Sequence, residues 1–390
     1  MYTVGFDISA LDPQFKQHAN RGIGRYVREL KKYFDGFKHD LVRIEYFSHR
    51  DLFSGEVIAP LLKALPAGAT TIRQQVVFPV KLAQREDLSA VHFPAHMDGP
   101  AWGQKRRILT VLDLIPLVME ELYTGKDSGL RYRFARALEN RAIKSASRIV
   151  AISECTKRDL VRMLAIPEER ITVTPLGVDD KFFHGRLVEE EIPLRARLKI
   201  PLERPIVLYV GGIDPRKNIK WMLNVWREVI STFGASEGSR PVLCLAGDIE
   251  RDKGYQAVSA EIAALGLGND IALPGFVNDE DLLQLFAIST VFFFPSLYEG
   301  FGLPPLEALA AGLPVVALNN SSIPEVLGGS AELVNTGDQI GAVKAIMELL
   351  LNEPLRLKRR ELGREQARRF SWEKTGARTF EVYEKMARGV

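Results

Sequence analysis

Short apolar runs alternate along most of this chain with longer stretches in which apolar residues recur at helical spacing. Apolar runs bounded by polar or glycine-containing segments read as strands buried on both faces, and the amphipathic stretches between them read as the helices covering a parallel sheet. The alternation occurs twice. The first set of predicted strands comprises 3–8, 41–47, 91–93, 107–111, 148–152 and 171–174. The second comprises 206–210, 241–246, 271–273, 291–294, 315–318 and 331–334. Between the sets, 185–198 is charged, with Glu189, Glu190 and Glu191 in succession and then Pro193, and reads as a surface helix and linker. The pattern predicts two α/β domains divided near residue 200, and the amphipathic stretch 372–386 is the candidate terminal helix.

Composition narrows the class without naming a function. A chain of 390 residues exceeds the usual single domain, and 46% hydrophobic with 26% charged residues is ordinary for a globular chain with a full core. A formal charge of +3 is too small to imply the concentrated basic face that nucleic acid requires. Two cysteines, Cys155 and Cys244, have no metal-ligand neighbours in the sequence, so neither a disulfide framework nor a zinc site is expected, which points to a reducing compartment. Residues 1–8 read as a strand rather than a leader, and no uninterrupted apolar run is long enough to cross a bilayer. A cytoplasmic protein is expected.

Candidate chemistry gathers after the apolar run 291–294, where Glu299 and Glu307 stand eight positions apart around a glycine-rich turn. Pro304 and Pro305 suit the first turn of a helix, because proline there loses no helical hydrogen bond. Gly300 and Gly302 leave room for a ligand to approach the backbone, and amides at a helix start favour anionic or hydroxyl-rich groups. A second turn, Gly211-Gly212, follows the run 206–210 and leads to Arg216 and Lys217 at a predicted helix start. An arginine forks onto two phosphate oxygens and a lysine adds a point charge; two cations opposing a helix dipole call for an anion. Glu307 as a capping acid, Glu299 as a solvated loop residue and a solvated basic pair would explain the charges, but not the glycines and prolines around them. Paired carboxylates also suggest acid-base hydrolysis. In the first domain, Gly22 and Gly24 precede a predicted helix, with Arg21 and Arg25 adjacent.

The run from Glu299 to Ala308 resembles the signature of the retaining glycosyltransferases of family four, E-G-F-G-[LI]-P-x-[LV]-E-A. The resemblance implies the GT-B fold: α/β, two Rossmann-like doubly wound domains facing across a cleft. Residues 1–199 would bind the acceptor and 200–370 the nucleotide sugar, with a C-terminal helix in 371–390 packing back on the first domain. It further implies that Glu299, Gly300, Phe301, Gly302 and Leu303 hold the donor sugar, Glu307 the ribose, and Gly211, Gly212, Arg216 and Lys217 the diphosphate. Val277, in the loop 274–279, would turn its backbone to the base, and Gly22 and Gly24 would approach the donor phosphate or the acceptor.

The segments 22–26, 91–96, 109–116, 150–154 and 174–179 resemble the branch containing mannosyltransferases of bacterial O-antigen and other surface polysaccharides. That branch implies mannose transfer from GDP-mannose to a glycan or polyprenyl-diphosphate-linked acceptor, with no cofactor and no metal. Retention would follow front-side attack, with Arg216 and Lys217 stabilising the leaving diphosphate and Glu299 and Asp113 completing the catalytic set. UDP- or dTDP-sugar donors, a sugar-nucleotide epimerase and a binding module without turnover are the competing readings. Two departures stand out. Leu112 occupies the position where many relatives carry a histidine placed against the donor sugar, and Leu176 stands where asparagine is frequent. Asp113 remains to orient the acceptor or to cap its loop, and His92 and His96 are nearby candidates or strand-end structural residues.

The segment 130–148 spaces Leu130, Phe134 and Leu138 at helical intervals, with Arg131, Arg133, Arg136, Arg141, Lys144 and Arg148 elsewhere on its surface. It reads either as a core stripe under a solvated basic face or as a helix that lies on an anionic membrane.

Overall fold

The computed structural model describes residues 1–13, 22–53, 73–103, 105–123, 129–184, 191–233, 240–252 and 254–389. The chain forms two compact units, one of residues 1–177 with 372–390 and the other of residues 178–371.

In the first unit, β1 (Tyr2–Asp7), β2 (Val42–Phe47), β3 (Ala90–Phe93), β4 (Arg106–Val111), β5 (Arg148–Ala151) and β6 (Ile171–Val173) form a parallel sheet in the order β2-β1-β3-β4-β5-β6. Helices cover the sheet, so its inner strands are apolar on both faces: Val4, Phe6, Val91, Phe93, Ile108, Leu109, Ile149 and Val150 are fully buried, whereas the edge strand β2 carries Arg43 and Glu45. The last helix, Trp372–Ala387, belongs to this unit and lies against the helix Gly22–Asp35. Tyr26 meets Trp372 and Phe34 meets Tyr383, with ring centroids 6.4 and 5.8 Å apart. Close approach depends on Gly376, where any Cβ would run into the Tyr33 ring. Beneath these rings a polar chain crosses the core. His92 Nδ1 lies 2.5 Å from the Tyr383 hydroxyl and its Nε2 lies 2.8 Å from Thr110 Oγ1, which the Tyr26 hydroxyl also reaches at 3.0 Å.

The second unit contains β7 (Ile206–Val210), β8 (Val242–Ala246), β9 (Ile271–Gly275), β10 (Val291–Phe294), β11 (Val315–Leu318) and β12 (Glu332–Val334), parallel and ordered β12-β11-β10-β7-β8-β9. Read from β9, this is the strand order of dinucleotide-binding folds. Its direction reverses between β7 and β10, and ligands of open α/β sheets bind at the carboxyl ends of the strands flanking such a reversal.

Four expectations change. The division falls at 177–178 rather than near 200, because residues after 178 pack into the second unit: Phe182 packs edge-on against Phe286 at 5.9 Å, and the amide of Val178 donates to the Phe370 carbonyl. The charged stretch contains the helix Glu191–Arg197, whose Arg195 donates to the carbonyls of Pro201 and Arg204 and whose Arg197 pairs with Asp281 at 2.5 Å. Glu189 and Glu190 lie outside the described residues. Gly22 and Gly24 sit inside the first turn of their helix rather than before it, Gly24 buried and Gly22 exposed; Arg21 lies outside the described residues. In the helix Leu130–Ser145, only Leu138 of the expected core stripe is buried, at 9% exposure, whereas Leu130 is 85% and Phe134 61% exposed.

Candidate functional site

The two loops that flank the reversal, one after β7 and one after β10, carry a cluster of charged groups. After β7 the chain turns through Gly211 and Gly212. A Cβ on Gly211 would lie 2.6 Å from the Tyr209 hydroxyl, and one on Gly212 would lie 2.7 Å from Asp252 Oδ2. That hydroxyl donates to the Gly212 carbonyl at 3.0 Å, and Asp252 accepts from the Ile213 amide at 2.6 Å. The glycines are needed because side chains already brace the turn from both sides. Asp214 then caps a short 3-10 turn, Pro215–Lys217, by accepting from the Arg216 amide at 3.1 Å. Asn218, left-handed at φ +58°, separates this turn from the helix Ile219–Phe233. Arg216 and Lys217 therefore stand in a turn before the helix rather than in its first turn.

Their anion comes from the loop after β10. Glu299 Oε1 accepts from Lys217 Nζ and Arg216 Nη1, each at 2.6 Å, and from the Ser296 hydroxyl at 2.7 Å. Arg216 also donates to the Tyr298 carbonyl at 3.2 Å, and its own carbonyl accepts from the Leu297 amide at 2.7 Å, joining the two loops through the backbone. Lys217 Nζ lies 4.8 Å from the centre of the Phe294 ring, a cation-π distance. Burial works against the Glu299 carboxylate, yet the charges of Lys217 and Arg216 and the hydrogen bonds from Lys217 and Ser296 outweigh it and hold the carboxyl below its ordinary value. Burial pushes the Lys217 ammonium down, and Glu299 opposes that shift only in part. A buried carboxylate shared by two cations, with its pKa held down by them, marks this edge of the sheet as the candidate site.

The turn continues into the helix Leu303–Ala311. Gly302 is left-handed at φ +102°, and a Cβ there would lie 2.8 Å from Ile323 Cδ1, so glycine is required on both counts. Pro304 sits in the first turn, and Glu307 is buried in the body of the helix rather than at its cap. Phe301 is buried against Phe370, ring centroids 5.7 Å apart, while Gly300 is buried and Leu303 half-buried. Val277 follows β9 at the same edge of the sheet, half-buried beside the exposed ring of Phe276.

The first unit holds Gly22, Gly24 and Asp113. Asp113 Oδ1 accepts from the Ile115 amide at 3.1 Å and so braces the turn after β4. His92 is a core residue within β3, and burial depresses its pKa to about 3, so it stays neutral at ordinary pH. His96 is buried in the short turn that follows. Among the described residues no group of three or more His, Cys, Asp or Glu side chains is placed to hold a metal ion, and no helix is long and apolar enough to cross a membrane.

Sequence reasoning picked out Arg216, Lys217 and Glu299 as separate motifs and missed the residues that fix them: Tyr209, Asp252, Ser296, Ser321 and Ser322. A lone serine or aspartate carries no signal until the strand order brings its loop beside another.

Known proteins match this chain along both units. Residues 190–366 match the model of "Glycosyl transferases group 1" and residues 20–182 that of "Glycosyltransferase Family 4". The O-antigen chain mannosyltransferase B of Escherichia coli is 31% identical over 282 residues, which cover 72% of this chain and 70% of that protein. The serotype-specific mannosyltransferase WbdA of the same organism is 30% identical over 294 residues, 74% of this chain but 34% of WbdA, so the chain matches about a third of that longer protein. Among solved structures, sucrose-phosphate synthase from Thermosynechococcus elongatus superposes with a TM-score of 0.74 at 18% identity over the whole of both chains.

Proposed function

The chain belongs to glycosyltransferase family 4, and on that premise we propose that it transfers mannose from GDP-mannose, with retention and without a metal, to a glycan or lipid-linked acceptor in surface-polysaccharide assembly. The observation that carries this reading is the convergence of Arg216 and Lys217 on Glu299 where the strand order of the second unit reverses. A donor diphosphate at that edge would draw the two cations from the carboxylate, and Glu299 would turn to the sugar hydroxyls. As the bond from C1 to the phosphate oxygen breaks, its electron pair passes to the leaving nucleoside diphosphate, whose growing charge Arg216 and Lys217 stabilise. The acceptor hydroxyl attacks C1 from the same face and gives its proton to the leaving phosphate oxygen. Glu307 would hold the ribose hydroxyls and the backbone of Val277 the base. Mannose is favoured because both relatives are named mannosyltransferases.

A screen of sugar nucleotides tests the donor: GDP-mannose should raise the melting temperature and be turned over, an α-linked product should form, and EDTA should leave the rate unchanged. A UDP- or dTDP-sugar preferred over GDP-mannose would overturn the donor assignment. Unimpaired turnover in Glu299→Ala would overturn the site. We also infer that the helix Leu130–Ser145 makes peripheral contact with anionic membrane, supported by the exposure of Leu130 and Phe134 on a helix rich in Arg and Lys.

A further inference from the structure

The loop Asn319–Ser322, between β11 and the helix Ile323–Leu327, holds the backbone of Glu299 from both sides. The Glu299 amide donates to Ser321 Oγ at 3.0 Å, and Ser321 Oγ is 3.2 Å from Asn320 Oδ1, to which it donates. The Ser322 hydroxyl is fully buried, 2.9 Å from both the Glu299 and the Phe301 carbonyl oxygens. Asn320 Nδ2 donates to the Ser296 carbonyl at 3.2 Å, so the same loop also grips the residue whose hydroxyl binds the Glu299 carboxylate. Ser321 does this from a left-handed conformation, φ +49°, which glycine adopts without strain and serine does not. A strained backbone kept at a position where glycine would relax it points to use of the side chain.

We propose that Ser321 and Ser322 are positioning residues for the reaction: they lock the Glu299 backbone so that its carboxylate stays in reach of Arg216, Lys217 and the donor sugar. The proposal rests on the assignment of Glu299 to the donor site. Glu299 needs such a lock because donor binding would take Arg216 and Lys217 from its side chain, leaving the backbone contacts and Ser296 to hold it in place. Small displacements of a group that orients a reacting sugar lower turnover steeply.

Two substitutions separate positioning from folding. Ser321→Gly removes the acceptor and relaxes the backbone; Ser321→Ala removes the acceptor and keeps the strain. Turnover of GDP-mannose should fall about tenfold in both, chiefly in kcat, while Ser321→Gly melts within about 3 °C of the unaltered chain and Ser321→Ala melts lower. Independently of turnover, amide hydrogen exchange over 296–303 should speed up at least about tenfold in Ser321→Gly. Full kcat in Ser321→Gly, or unchanged exchange in that segment, overturns the proposal. An unaltered chain that turns over no sugar nucleotide would refute the donor-site assignment instead, and the exchange measurement would still decide whether the serines hold Glu299.

Discussion

Lys217 is an ammonium buried between the carboxylate of Glu299 and the ring of Phe294, and its behaviour with pH follows from that position. Burial lowers its pKa from the ordinary 10.5, so rising pH removes this charge earlier than it would from a solvent-exposed lysine. The rate of donor turnover should therefore fall on the alkaline side with a midpoint below 10.5. Lys217→Arg, whose guanidinium does not deprotonate, should lose that alkaline limb while working from a lower plateau. A profile flat to that pH in the unaltered chain would refute the role given to the ammonium. At this scale the sequence showed which residues carry charge and which carry none, and the glycines around them marked a turn. It could not show that Arg216 and Lys217 already share an anion. That pairing spans more than eighty positions and exists only because β7 and β10 are neighbours.

At the scale of elements, the apolar runs were legible because a strand covered on both faces must be apolar throughout, and every observed strand boundary lies within two residues of its predicted one. Helices were less legible where their surroundings decide which face is inward. The spacing of Leu130, Phe134 and Leu138 is the same whether the stripe is covered or open, and only Leu138 is covered. The basic helix thus presents two large apolar side chains to solvent beside exposed Arg133, Arg141 and Lys144. Vesicles containing anionic lipid should co-sediment the chain, and Leu130→Asp with Phe134→Asp should cut the bound fraction several-fold while leaving the fold intact, because neither side chain is in the core. Equal binding to neutral and anionic vesicles would remove the electrostatic part of this reading, and equal binding by the double variant would remove the rest. The Glu191–Arg197 helix failed to show as part of a domain for a related reason: its surface is charged, but Leu194 and Arg195 are buried and bind the second unit.

For the whole molecule, the return of the last helix to the first unit makes a polar core that no local pattern announces. His92, Thr110, Tyr26 and Tyr383 come from four distant segments and satisfy one another's hydrogen bonds away from water. His92 has its pKa depressed by burial from 6.5 to about 3. Between those pH values an unfolded chain takes up a proton at this residue and the folded chain does not, so stability falls as pH falls, by at most about 1.4 kcal/mol per pH unit. Denaturant unfolding of the first unit at successive pH values should show a shallower decline in His92→Gln than in the unaltered chain; equal slopes would place the pH dependence elsewhere. The sequence by itself determined that this chain makes two parallel α/β sheets, each covered on both faces, and marked the turns after β7 and β10 as candidate sites, because burial imposes an apolar pattern and a tight approach imposes glycine. Only the tertiary structure decided where the units divide, which apolar side chains face solvent, and that Glu299 is the common partner of two cations and three serines. Those are contacts between distant segments, and strand order, which no residue encodes alone, brings them together.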